Sequence, residues 1–281
     1  KAYQGINSLS FSAVFSDSLL SIMVQWILIL LLLLMNKTIE PETLVLTIAV
    51  SNLISICILL LYLKTKNLLD FRFNQTKIVE EFRVILSNSY QLYIIELINR
   101  AIILLPLLIF PFFLSSKEIG VFGFAEKLGM ISTTVLTAIN FWLAPEFRKL
   151  SKQGRSKDIG VLYKKTIKKI SLFCFFFFII LMINFEYLIT LINEEYLNYK
   201  LILYIYMLAH FINTIFGPVG WILIMTDNEK KLIINNLISV GIFIFSMIFN
   251  QTSVYLAFLV LIMIFTNNIL NYQSIKKIGI L

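Results

Sequence analysis

"YIIELINRAIILLPLLIFPFFL", residues 93–114, decides the solvent in which this chain folds. All but three of these positions continue an apolar run that a soluble helix cannot hide on all sides; Glu96, Asn99 and Arg100 interrupt its first third. A hydrocarbon layer ~30 Å thick is crossed by about 20 apolar residues in a helix. Similar runs recur along the whole chain. Hydrophobic residues make up 59% of the sequence and charged ones only 14%, about half the share of charge in an ordinary soluble domain, so the reading is a membrane protein.

Eight such runs are expected to span, at roughly 18–35, 43–63, 84–114, 119–144, 170–192, 201–225, 232–249 and 254–272. The fold class is therefore all-α and polytopic. The segments between the runs sort by charge. Residues 1–17, 64–83, 145–169, 226–231 and 273–281 hold 19 of the 24 Lys and Arg, and the alternate segments hold Lys37, Lys117 and Lys200. Basic loops stay on the cytoplasmic side, so both termini of the chain are expected there. The net charge of +8 then belongs to segments facing anionic lipid, and no nucleic-acid surface is needed to explain it. The outward segments are too short to carry an extramembrane catalytic domain, which argues against an enzyme. No P-loop, Gly-rich dinucleotide turn, HExxH or CxxC pattern occurs, and Cys57 and Cys174 stand apart in apolar runs, so neither metal nor cofactor is expected.

"KTKNLLDFRFNQTKIVEEFR", residues 64–83, is polar and mildly amphipathic, as a linker lying on the membrane surface would be. It divides the chain into a two-helix part, residues 1–63, and a six-helix part, residues 84–281. No cleavable signal peptide is visible, and residue 1 is Lys instead of Met, so the start of the gene product is expected to be missing.

The intramembrane polar residues are the candidate site. Glu96 and Arg100 stand four apart, on one helix face. They form either a self-satisfied packing pair or a cation lining a polar cavity, positioned by its carboxylate, with Asn99 beside it. "FGFAEKLGMISTTVLTAINFWLAPEF", residues 122–147, brings Glu126 and Lys127, then Thr133, Thr134, Thr137 and Asn140; Pro145 marks the expected inner exit. These side chains either bond between helices or line a cavity. "AHFINTIFGPVGWILIM", residues 209–225, contains His210, the only histidine, as a packing residue or a proton relay. Its Gly217, Pro218 and Gly220 interrupt the helix and are candidate hinges.

Three stretches together carry a family resemblance. "SSKEIGVFGFAEKLGMISTTVLTAINFWLAPEFRKLSKQGR" resembles the segment of bacterial polysaccharide flippases in which an outward turn leads into a helix with an Ala-Glu-Arg-like triplet, here Ala125-Glu126-Lys127, and exits at Ala144-Pro145 into a basic stretch. "LINEEYL" resembles the next outward turn. "FGPVGWILIMTDNEKKL" resembles a later Phe-Gly-Pro-x-Gly signature, although the family often has Gly where this chain has Asp227-Asn228. The family is the O-antigen and capsule branch of the multidrug/oligosaccharidyl-lipid/polysaccharide exporter superfamily. The resemblance implies two six-helix lobes around a central cavity, with residues 84–281 as the second lobe and residues 1–63 as the last two helices of the first. It implies a multi-pass protein of the bacterial cytoplasmic membrane that flips an undecaprenyl-diphosphate-linked oligosaccharide. Under that expectation Arg100, Lys127, Asn99 and Asn140 contact substrate, and Glu96, Glu126 and His210 support them or couple an ion. An ion-coupled drug or metabolite exporter, an integral-membrane glycan enzyme and a membrane scaffold remain the competing classes.

Overall fold

The computed structural model describes residues 19–34, 41–65, 90, 93–100 and 102–281. Every regular element among them is helical. The chain divides into two compact units, Lys1–Glu81 and Phe82–Leu281. In the first, α1 (Leu19–Leu34) packs against α2 (Pro41–Thr65). Hydroxyls on α2 fold back onto their own backbone, Thr47 Oγ1 donating to the Thr43 carbonyl at 2.7 Å and Ser51 Oγ to that of Ile48 at 2.9 Å. That internal bonding lets polar residues sit in a membrane helix. The expected surface linker over 64–83 lies, beyond Thr65, outside the described residues.

The second unit begins with α3 (Tyr93–Phe112), whose last turn tightens into a 3₁₀ helix at Phe110–Phe112 around Pro111. It continues with α4 (Ser116–Lys152), α5 (Ser156–Ile183), α6 (Phe185–Ile192), a 3₁₀ turn at Glu194–Tyr199, α7 (Lys200–Phe216), α8 (Val219–Met225), α9 (Glu229–Ser246) and α10 (Ser253–Lys277). A capping box starts α4: Ser115 Oγ accepts from the Glu118 amide, and the Glu118 carboxylate accepts from the Ser115 amide at 3.0 Å.

Among the described residues, five helices are long and apolar enough to cross a membrane: Glu42–Tyr62, Tyr93–Phe112, Ser156–Ile183, Glu194–Phe216 and Ser253–Lys277. The two halves of α4, Ser116–Thr134 and Leu136–Lys152, meet at 43° and pass the same test only together, as a broken span or a re-entrant loop, so the count rises to six if they cross as one. Two of the eight expected spans are not among these: the described part of the run at 18–35 is a helix of 16 residues, and α9 spends its first turn on Glu229, Lys230 and Lys231.

Several boundaries also move. Pro145 does not end its helix; α4 runs on to Lys152. The bend falls ten residues earlier, where Ser132, Thr133, Thr134 and Thr137 all donate their hydroxyls to carbonyls three or four residues back. Such back-bonding weakens the helical ladder and bends helices. Most of the basic segment 145–169 is helix too. Ile159, Gly160, Tyr163 and Ile170 make a buried stripe along α5 and leave its lysines outside. The expected span 170–192 breaks at Asn184, and that over 201–225 breaks at Gly217 and Pro218.

At the centre of this unit stands α7, packed on α4, α5 and α10. Two apolar clusters occupy its ends. One gathers Phe110, Phe122, Tyr206, Phe243 and Leu256; the other gathers Leu143, Phe147, Tyr163, Ile222 and Ile275. In the first, the Phe122 ring meets the edges of Phe110 and Tyr206 at centroid distances of 4.6 and 5.6 Å. The outer faces stay apolar: Leu172, Phe173, Phe176 and Ile180 of α5 are exposed, as lipid-facing residues are.

Candidate functional site

Between the two apolar clusters, α3, α4, α7 and α10 leave a cavity of about 330 Å³. The sequence explains its position. Along α4, Phe122 belongs to one cluster and Leu143 to the other, while Glu126, Thr133 and Thr137 between them face the cavity. Along α10, Met263 and Ile275 bracket Asn267 and Asn268 in the same way. His210 and Asn213 contribute from α7, and Asn99 from α3. Apolar walls come from Ile102, Pro106, Val260 and Ile264.

Within it lies a buried pair. His210 Nε2 is 3.2 Å from Glu126 Oε2, and the two side chains are 8% and 10% exposed. With its proton on Nε2 the imidazole donates to the carboxylate. His210 Nδ1 is buried and has no partner. The ring fits because residue 129, on the facing turn of α4, is glycine: a β-carbon there would lie 2.7 Å from His210 Cγ and nearer still to Cδ2. One turn on, Thr214 Oγ1 donates to the His210 carbonyl at 3.0 Å.

Around this pair runs an asparagine network that was not anticipated from the sequence. Asn236 Nδ2 donates to Asn99 Oδ1 at 2.9 Å, joining α9 to α3. Asn268 Nδ2 donates to Asn213 Oδ1 at 2.9 Å, joining α10 to α7. Asn271 Nδ2 donates to Asn267 Oδ1 at 2.8 Å, and Asn271 Oδ1 accepts from Asn235 Nδ2 at 2.9 Å. The signal was present as two Asn-Asn doublets, 235–236 and 267–268, each inside an apolar run. Interhelical amide bonds of this kind hold membrane helices together where apolar burial gives no advantage over lipid.

The expected site residues divide. Asn99, Glu126 and His210 meet at the cavity; Arg100, Lys127, Glu96 and Asn140 are not in its lining. Arg100 Nε donates to Glu96 Oε1 at 3.1 Å, so the pair read from the four-residue spacing does form. Their side chains are 73% and 39% exposed, and Arg100 shares its face with exposed Leu97, Leu104 and Leu108. Successive residues turn by about 100°, which is why Asn99 reaches the cavity and its neighbour does not. Lys127 is exposed for the same reason beside buried Glu126. Asn140 is buried one turn beyond Thr137, and its Oδ1 has no partner.

At the helix break, Gly217 takes φ +67° and ψ −144°. The Phe216 carbonyl accepts from Tyr163 Oη at 2.9 Å, so α5 satisfies a carbonyl next to the break. Pro218 leads into α8, and Gly220 lies within it against Leu232. The turn after α8 has Asp227 at φ +56°, with its carboxylate 2.7 Å from Arg148 Nη1 of α4. No family model, curated protein or solved structure matches the chain.

Proposed function

We propose that this chain is part of a transporter that flips a lipid-linked oligosaccharide across the bacterial cytoplasmic membrane. The observation that carries the reading is the polar cavity of about 330 Å³ inside a unit whose outer faces are apolar. Polar and ionisable groups are expensive at membrane depth and are kept where they meet one another or a passing polar cargo. Here a carboxylate–imidazole pair and an amide network lie between two apolar clusters, the arrangement a membrane carrier uses to shelter a hydrophilic ligand.

The Lys and Arg distribution supports cytoplasmic termini, and the three sequence stretches that resemble polysaccharide flippases support the cargo. In this reading Arg100 stands outside the cavity as a contact for the lipid diphosphate. Its planar donors suit phosphate oxygens, and Glu96 fixes their direction. Lys127 supplies a second cation. The break at Gly217 and Pro218, bridged by Tyr163, is the hinge.

The test is transbilayer movement of a fluorescent undecaprenyl-diphosphate oligosaccharide in vesicles containing the protein, read by access of a membrane-impermeant quencher. Cells carrying Arg100→Ala are expected to lose surface polysaccharide at unchanged membrane abundance. Movement no faster than in protein-free vesicles removes the reading, and normal export in the variant removes its Arg100 component. One observation favours an ion-coupled exporter of cations instead. Among the described residues, Glu126 is the cavity's one carboxylate and no Lys or Arg lines it. Resistance to cationic drugs with unaltered glycan export would select that alternative.

A further inference from the structure

We infer that the cavity between α3, α4, α7 and α10 is a binding site for an uncharged, hydroxyl-rich ligand, a sugar unit, and that it excludes the phosphate of a lipid-linked cargo. The source of the sugar rests on the proposed function; the chemistry of the wall does not.

The wall carries amides whose carbonyls each already accept one hydrogen bond. Asn99, Asn213 and Asn267 each accept through Oδ1 from another asparagine, at 2.9, 2.9 and 2.8 Å. Their NH₂ groups are thereby left to whatever fills the space. Asn268 is the reverse: its nitrogen donates both to Asn213 Oδ1 and to the Ile264 carbonyl, so its oxygen is the group that remains. Thr133 and Thr137 spend their hydroxyl protons on backbone carbonyls at 3.0 Å each and keep their lone pairs. Donors and acceptors therefore share one cavity. A sugar hydroxyl is both donor and acceptor and matches such a wall.

A phosphate does not match it. It offers acceptors only: the NH₂ groups of Asn99, Asn213 and Asn267 could donate to it, but it would also face the acceptors of Asn268, Thr133, Thr137 and Glu126, which a hydroxyl can satisfy and a phosphate cannot. Among the described residues the lining contains neither Lys nor Arg to offset its charge, and the imidazole's Nε2 is already engaged with Glu126. Arg100, the nearest cation in sequence to Asn99, faces away from the lining. The volume is at the lower end of small-ligand sites, about 300–1,000 Å³. Between Ile102, Pro106, Val260 and Ile264, apolar contact is available for the carbon faces of a ring. Recognition of the neutral glycan and recognition of its charged anchor are thus assigned to different places on the molecule.

Saturation-transfer NMR on the protein in lipid nanodiscs tests this, with free hexoses and N-acetylhexosamines as probes and inorganic pyrophosphate and tetraphenylphosphonium as controls. Saturable transfer to at least one sugar, unaffected by pyrophosphate, is expected. Asn267→Asp keeps the acceptor that Asn271 uses and removes the donor; Thr137→Val keeps the shape and removes the lone pairs. Each is expected to weaken sugar binding about tenfold while the protein retains its helical content and elution volume. Absence of sugar transfer, displacement by pyrophosphate or phosphonium, or unchanged affinity in both variants overturns the proposal. The flipping assay is run in parallel. Flipping without sugar binding overturns the site and leaves the flippase reading standing. Sugar binding without flipping of any lipid-linked cargo supports the site and removes the flippase reading, making the ligand a free sugar.

Discussion

Gly129 sits directly against the ring of His210, so close that any β-carbon at 129 would overlap Cδ2. One missing methyl group on α4 therefore sets where the imidazole of α7 can lie, and with it the 3.2 Å contact to Glu126. Gly129→Ala must push the ring or the helix aside. The expected destabilisation is about 1–3 kcal/mol, the usual range for an inserted methyl in a tight contact. His210→Ala removes the ring and relieves the clash, so the double variant is expected to be more stable than the sum of the two single effects. Thermal unfolding of all four proteins in one detergent gives the coupling. Strict additivity would show that the two residues do not touch.

Tyr163 answers the question that Gly217 and Pro218 raise. A helix interrupted inside a membrane leaves backbone groups without partners, and here the hydroxyl of another helix supplies one, 2.9 Å from the Phe216 carbonyl. Tyr163→Phe keeps the ring and removes the donor. It is expected to cost about 1–3 kcal/mol, the range for a buried acceptor left unsatisfied. If α7 and α8 move about this break during transport, the same variant also changes the transport rate. An unchanged melting temperature would mean that water, not Tyr163, satisfies the carbonyl.

Gly217 itself is held by two constraints that a single substitution separates. Its φ of +67° with ψ of −144° is a conformation reserved for glycine, and a β-carbon would also overlap Ile167 Cδ1. Gly217→Ala is expected to lose about 1–3 kcal/mol from the backbone alone. Adding Ile167→Val shortens the obstructing side chain and should restore only the steric share. Full recovery in the double variant would place the whole effect in the side-chain overlap.

How much of this was legible follows from what membranes do to sequence. Apolar runs must be helical in lipid, so the spans containing Glu42–Tyr62 and Ser253–Lys277 could be read directly. The four-residue spacing of Glu96 and Arg100 gave their contact for the same reason. What the spacing does not give is the side of the bundle on which a pair stands. Ile95 and Ile102 bury one face of α3, and that choice carries Asn99 toward the cavity and Arg100 away from it. Reading for charge also hid the amides. Asn235, Asn236, Asn267 and Asn268 carry no charge, and their roles depend on partners up to 137 positions away. Pro145 misled because a proline ends a helix only where nothing else holds it; Ala144 and Phe147 are buried on either side.

Asp227 combines a backbone demand with an ion pair, and three substitutions separate them. Its φ of +56° is left-handed, a conformation that Gly adopts freely and Asp and Asn tolerate. Its carboxylate lies 2.7 Å from Arg148 Nη1, which also donates to the Met225 carbonyl at 3.2 Å. The pair is largely solvent-accessible, so its share is about 0–1 kcal/mol and falls as salt is added. Asp227→Asn keeps the backbone tolerance and loses only that share. Asp227→Gly loses the pair but relaxes the turn, so its stability is expected to stay within about 0.5 kcal/mol of the parent. Asp227→Ala loses both and should be the least stable of the three, by about 1–2 kcal/mol, through the left-handed φ. Melting temperatures at low and high salt make the comparison. The Asn difference should shrink with salt while the Ala–Gly difference stays constant, because one is Coulombic and the other steric. A salt-dependent Ala–Gly gap would mean that the turn's geometry is set by Arg148 instead of by the residue at 227.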